Sequence, residues 1–172
     1  METSAPLESK DTCATAKQAI LKHGFDAWTG DMESCSWQNI FPGYRVTDEL
    51  PRRLIGDDFV ATRFIGLPLE GYHMARLSFE EGRWVMFDGM LTELDSIATT
   101  ALLTALGAPA AKLDWYFGTL PMAETEWVYP EKGITLFLRD DLELVLHVAL
   151  YASMTLEAYE ATRRLNLRKR RR

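Results

Sequence analysis

Residues 126–151 read EWVYPEKGITLFLRDDLELVLHVALY, and the way this stretch divides decides the fold. Two apolar runs, Gly133 to Leu138 and Leu142 to Tyr151, flank the polar knot Arg139-Asp140-Asp141. Apolar runs bounded by turn residues pair as antiparallel strands, so the stretch reads as a hairpin. In its second run Leu144, Leu146, Val148 and Leu150 fall on one side of a period-two ribbon, and Val145, His147, Ala149 and Tyr151 on the other. Both sides are mostly apolar. A strand with so little polar surface belongs in the middle of a sheet, covered by helix on at least one side. The hairpin is therefore the expected core of the sheet, with Leu102, Leu106, Ile134, Leu136, Leu146 and Val148 buried together.

Upstream, Ala110 to Met122 sets Trp115, Tyr116 and Phe117 side by side before Gly118 and reads as an aromatic loop. Before it, Leu91 to Leu106 has the clearest helical spacing, through Leu94, Ile97, Ala98, Ala101, Leu102, Ala105 and Leu106, closed by Gly107 and Pro109. Asp58 to Gly66, Gly71 to Phe79 and Arg83 to Met90 form a three-stranded meander, and Glu80-Glu81-Gly82 supplies a tight turn with the glycine that a positive φ favours. Asp11 to His23 is a first helix ended by Gly24 in the left-handed conformation. Residues 25–57 mix Trp28, Trp37, Phe41 and Tyr44 with glycine and proline, giving an irregular segment with a short helix near Thr47 to Leu54. Downstream, Thr155 caps a terminal helix to Leu167.

Strands cluster in antiparallel groups here. That predicts an α+β fold: an antiparallel sheet of five to six strands packed on three or four helices, one domain over residues 11–167. Residues 1–10 read as a frayed terminus and 168–172 as a basic tail.

At 172 residues and 47% hydrophobic composition, the chain is long enough for one core burying on the order of 70% of its unfolded surface. No run reaches the ~18 apolar residues of a spanning helix, and METSAPLESKDT lacks the order of a secretory signal, so no membrane role and a cytoplasmic setting are expected. Cys13 and Cys35 lie outside any CxxC or Cys/His metal spacing, and two free thiols are expected over a disulfide. Seven of the 19 basic residues sit in the last ten positions. The rest of the chain holds 12 basic against 25 acidic residues, a net −13 inside a total of −6. Such a field disfavours nucleic acid, except through Arg168 to Arg172, and favours a protein partner with a basic or mixed surface.

No nucleophile, zinc or phosphate-loop motif occurs, and no catalytic residue, metal or cofactor is assigned. His23, His73 and His147 stand apart from any nucleophile motif and read as structural, with His147 at mid-sheet the most notable. The carboxylate pairs Asp57-Asp58, Glu80-Glu81 and Asp140-Asp141, with Glu143, fall at turns, which are polar by default. Partner contact is assigned to Glu80, Glu81, Asp140, Asp141 and Glu143, as an anionic rim if two turns share one end of the sheet, and to Trp115 and Tyr116 as aromatic anchors.

The run from about residue 101 to 159 has a helix stop Leu106-Gly107-Ala108-Pro109, then Trp127-Val128-Tyr129-Pro130, Gly133-Ile134 and the hairpin to Tyr151. In that arrangement it resembles small α+β inhibitors of the β-lactamase-inhibitor-like repeat and bacterial toxin-immunity proteins. The resemblance implies a protein that blocks another protein, a toxin being one candidate, and transfers no catalytic residue. The leading expectation is thus a non-catalytic inhibitor or immunity-type module. The alternatives are a small enzyme using a His/carboxylate pair and a regulatory scaffold whose basic tail touches nucleic acid.

Overall fold

The computed structural model describes residues 13–42, 52–55, 58–61, 63–67, 69–92, 96–116, 123–139 and 144–164. Helix α1 (Ala14–Lys22), a 3-10 turn at Phe25–Ala27 and the short helix α2 (Trp37–Ile40) come first. Strands β1 (Arg52–Ile55), β2 (Asp58–Ala61), β3 (Arg63–Leu67), β4 (Tyr72–Glu80) and β5 (Arg83–Leu91) lead to helix α3 (Ser96–Leu106). Then come β6 (Ala111–Tyr116), β7 (Ala123–Tyr129), a 3-10 turn at Pro130–Lys132, β8 (Ile134–Arg139), β9 (Leu144–Tyr151) and helix α4 (Leu156–Thr162). The architecture is α+β. No helix among the described residues is long and apolar enough to cross a membrane.

Seven strands form one antiparallel sheet in the order β3-β4-β5-β9-β8-β7-β6, and β1 and β2 pair as a separate hairpin. The sheet joins two meanders, β3 to β5 and β6 to β9, through the β5–β9 ladder from Met86↔Tyr151 to Met90↔His147. The 126–151 hairpin lies inside it as expected, β9 being flanked by β5 and β8. The Glu81-Gly82 turn has both φ values positive, 51° and 75°, the geometry that matches strand twist in a two-residue hairpin.

Several boundaries differ from the sequence reading, each for a local reason. Residues 111–116 of the expected aromatic loop are strand β6, where Ala111, Leu113 and Trp115 alternate with Lys112 and Asp114, a period-two pattern that three adjacent aromatics obscure, and 117–122 lies outside the described residues. The sheet therefore exceeds five to six strands. The run 58–66 divides between two sheets, and Arg52–Ile55 is strand where helix was expected; 47–51 lies outside the described residues. β5 takes Leu91, so α3 starts later, at Ser96. At the end of α1 His23, not Gly24, takes the left-handed conformation (φ 59°), and the Gly24 amide donates to the Gln18 carbonyl.

Residues paired across strands share a face, so the register sorts the core into two layers. Tyr72, Leu77, Phe79, Phe87, Val148, Leu150, Leu136 and Ile134 form one buried face, on which α1, α2 and α3 lie. The Tyr72 hydroxyl donates to the Ile20 carbonyl (2.6 Å), and Trp37 meets Phe79 edge-on at 5.4 Å. Trp28 reaches through this layer, its Nε1–H shared between the carbonyls of Gly133 (2.9 Å) and Tyr151 (3.2 Å). Gly133 cannot be another residue there: at φ 66° an added Cβ would stand 2.0 Å from the Tyr151 oxygen. The opposite face carries Asp88, His147, Tyr151, Thr135 and Glu126, with α4 across it.

The expected common burial holds for Leu102, Leu106, Ile134, Leu136 and Val148 but not for Leu146, which is half-buried. The cause is a bulge. Phe137 pairs with His147 and Leu138 with Val145, leaving Leu146 as the extra residue. The inserted residue breaks the alternation, so Val145 rejoins the face of Val148 and Leu150 and Leu144 moves to the other. The Val145 amide donates to Thr99 Oγ1 of α3 (3.3 Å).

The expectation of free thiols is overturned: Cys13 and Cys35 form a disulfide. Sequence spacing is silent on such a pairing. The fold brings the start of α1 beside the segment before α2, with Cα atoms 4.9 Å apart, inside the range a disulfide spans.

Candidate functional site

Two buried carboxylates organise the polar face of the sheet. The first is Asp88, in the middle of β5 and 1% exposed, directly opposite Arg76 on β4. The Arg76 guanidinium grips it with Nε at 3.0 Å from Oδ1 and Nη2 at 2.9 Å from Oδ2. His147 of β9, diagonal to Asp88 in the ladder, donates Nε2–H to Oδ2 at 3.0 Å, since a carboxylate only accepts. Burial alone would raise the Asp88 carboxyl, but the Arg76 charge and the His147 hydrogen bond outweigh it and hold the group well below the usual carboxylate range. The trio bolts β4, β5 and β9 together.

Glu126 of β7 is the second, fully buried at the start of the Trp127-Val128-Tyr129 run. The Tyr159 hydroxyl of α4 donates to Oε1, and Arg164, just past that helix, donates Nε–H to Oε2 (3.0 Å) and Nη2–H to the Asp114 carbonyl of β6 (3.0 Å). Burial raises the Glu126 carboxyl, and Tyr159 and Arg164 only partly offset it, so the group sits above its ordinary value. Tyr159 stacks on Tyr151 (5.0 Å), whose hydroxyl bonds Thr135 at 2.8 Å. Burial pushes both tyrosines above their usual value. These contacts dock α4 on the sheet. Part of the basic end thus folds back on the acidic body: Arg163 pairs with Glu80 (3.1 Å) and Arg164 with Glu126.

A histidine held by a carboxylate is the arrangement that orients an imidazole as a general base. Here His147 is 5% exposed, and it lines neither of two clefts, of about 410 and 390 Å³. Its geometry serves cohesion of the sheet. His73 is exposed on β4, and His23 is half-buried against Tyr72 at 4.8 Å, its pKa lowered by that burial. Among the described residues no three His, Cys, Asp or Glu side chains converge as a metal site would require.

Of the assigned contact residues, Glu80, Glu81, Trp115 and Tyr116 lie among the described residues. β4 and β9 run the same way, so Glu80 at the end of β4 and Leu144 at the start of β9 lie at opposite ends of the sheet, roughly 30 Å apart at ~3.3 Å per residue. Asp140, Asp141 and Glu143 themselves lie outside the described residues. Glu81 is exposed, while Glu80 is drawn into the pair with Arg163. Trp115 and Tyr116 are successive residues of the edge strand β6, opposite Glu124 and Ala123. Of the other aromatics, Trp28 and Phe41 are core, and Trp37 and Trp127 are half-buried.

Sequence reasoning missed Arg76, Asp88, Glu126, Tyr159 and Arg164. Lone charges inside apolar strands, Asp88 in Val-Met-Phe-Asp-Gly-Met and Glu126 before Trp127, were the available signal, because a buried charge requires a partner. No family model, curated protein or solved structure matches this chain. Fold and site define an antiparallel-sheet α+β domain with two internally neutralised carboxylate centres.

Proposed function

We propose that the protein is a binding module of the inhibitor or immunity type, holding a basic or mixed protein surface along the outer strand of its sheet. The observation that carries this reading is β6, a strand with a described neighbour on one side only, which bears Trp115 and Tyr116. Such an edge offers backbone donors and acceptors to an incoming strand, and large aromatics supply anchoring area. The net charge of −6 suits a basic partner by accelerating encounter.

The test compares capture from native lysate by the wild-type chain and by a Trp115→Ala/Tyr116→Ala variant of unchanged circular dichroism. A protein recovered in near-stoichiometric yield by the first and lost by the second supports the reading. The same set recovered by both, or none by either, refutes it.

The enzymatic alternative has the His147–Asp88 bond in its favour. It requires an activity that His147→Gln abolishes in protein of native fold. The cytoplasmic setting belongs to the same proposal, and the Cys13–Cys35 bridge opposes it, since stable disulfides belong to oxidising compartments. Thiols trapped in freshly quenched cells as a reduced pair support the cytoplasm; a bridged pair removes it.

A further inference from the structure

The larger cleft, about 410 Å³, opens at the end of the sheet where β4 turns into β5. Trp37 of α2 and Trp84 of β5 line it, with Arg83 from the turn, Arg163 from the end of α4, Glu33 and the disulfide sulfur residue Cys35. Both indoles are held in place from behind. Trp37 packs edge-on to Phe79, and Trp84 donates Nε1–H to the Met86 carbonyl at 3.0 Å. The wall is therefore preorganised, and its volume is in the range of small-molecule pockets.

Its lining holds two guanidiniums, Arg83 and Arg163, and one carboxylate, Glu33, with Glu80, outside the lining, paired to Arg163. Among the described residues the hydrogen bonds of Arg163 run through Nη1, to Glu80 (3.1 Å) and to the Thr162 carbonyl (3.0 Å), and its buried Nε–H has no acceptor. A buried donor without an acceptor is costly, and a planar guanidinium is the group best matched to a carboxylate.

We propose that this cleft is a binding site for a small planar carboxylate, its flat body against Trp37 and Trp84 and its anionic group on Arg163 and Arg83. The aromatic walls set the shape of the ligand and the two arginines set its charge. The disulfide ties the segment carrying Trp37 to α1, so reduction loosens one wall.

The experiment titrates the full chain with naphthoate, with its neutral counterpart naphthamide and with inorganic phosphate. It follows the five indole N–H signals in proton–nitrogen correlation spectra, assigned by single Trp→Phe variants. Naphthoate should shift the Trp37 and Trp84 signals saturably at millimolar concentration and leave Trp28 unmoved. Naphthamide should bind about tenfold to a hundredfold more weakly, the loss expected for one charge-assisted contact, and Arg83→Gln should weaken naphthoate by a similar factor. Arg83 is exposed at the turn, so that variant keeps the fold and separates lost binding from lost structure. Unmoved Trp37 and Trp84 signals with naphthoate overturn the proposal. So does equal binding of naphthamide, or phosphate binding as tightly as naphthoate.

Discussion

Asp88→Asn tests the polar face most directly, because it removes one charge and almost no volume. Asp88 is 1% exposed and accepts from Arg76 Nε and Nη2 and from His147 Nε2, all within 3.2 Å. Asparagine keeps one acceptor oxygen but turns an NH2 group toward donors, leaving a guanidinium or an imidazole N–H unmatched. The Arg76 side chain is 22% exposed and can recruit water; His147, at 6%, can do so far less. Breaking a buried pair from one side costs about 3–5 kcal/mol. Against a total stability of roughly 5–15 kcal/mol, that is a third or more for an average domain. At roughly 2–4 °C per kcal/mol for a chain of this length, the melting temperature should drop by about 6–20 °C. The assay is urea unfolding followed by far-UV circular dichroism at several pH values. Because the folded-state pKa of Asp88 is depressed, its contribution is present above the unfolded value near 3.9 and is lost as pH falls through the folded value. The gap between wild type and Asp88→Asn should be full at neutral pH and narrow in strong acid. A variant within about 0.5 kcal/mol of wild type at neutral pH would refute the reasoning, since that is the scatter of inert surface changes.

Glu126 should behave in the opposite sense: its folded pKa is raised, so stability is fully present below the unfolded value of ~4.3 and declines as pH rises through the folded one. Glu126→Gln should flatten that decline, and a pH dependence identical to wild type would contradict the assignment. The Cys13–Cys35 bridge closes a separation of 22 residues, and its removal by Cys→Ser substitution should cost about 3 kcal/mol on the loop-entropy estimate. Non-reducing peptide mapping that finds two free thiols in native protein would dismiss the bridge. Leu146→Ala, at the half-buried bulge, should cost about 1–2 kcal/mol, and Leu136→Ala, fully buried, roughly 2–5 kcal/mol. Equal costs in denaturant would argue that Leu146 is core after all. Thr99→Val should cost about 1 kcal/mol by orphaning the Val145 amide; protection of that amide from hydrogen exchange as strong as in wild type would count against the bond.

The sequence by itself determined what depends on neighbours along the chain. Apolar runs between turn residues marked β4, β5, β8 and β9, Gly82 marked its turn, Gly107 and Pro109 the end of α3, and Thr155 the cap of α4, whose hydroxyl accepts from the Ala158 amide at 3.1 Å. These are short-range effects of dihedral preference, capping and side-chain period, and they sufficed for the α+β class. Only the tertiary structure decided what depends on register and strand direction. It joined the two meanders through β5 and β9, turned Val145 inward by one bulged residue and set the end of β4 and the start of β9 at opposite ends of the sheet. It also brought Arg76, Asp88 and His147 together from three strands, and Glu126, Tyr159 and Arg164 from a strand and the last helix. A charge inside an apolar strand announces that it needs a partner. Which partner it meets is a matter of strand order, and strand order is set by the free energy of the whole packed sheet, to which every residue contributes and in which none is decisive alone.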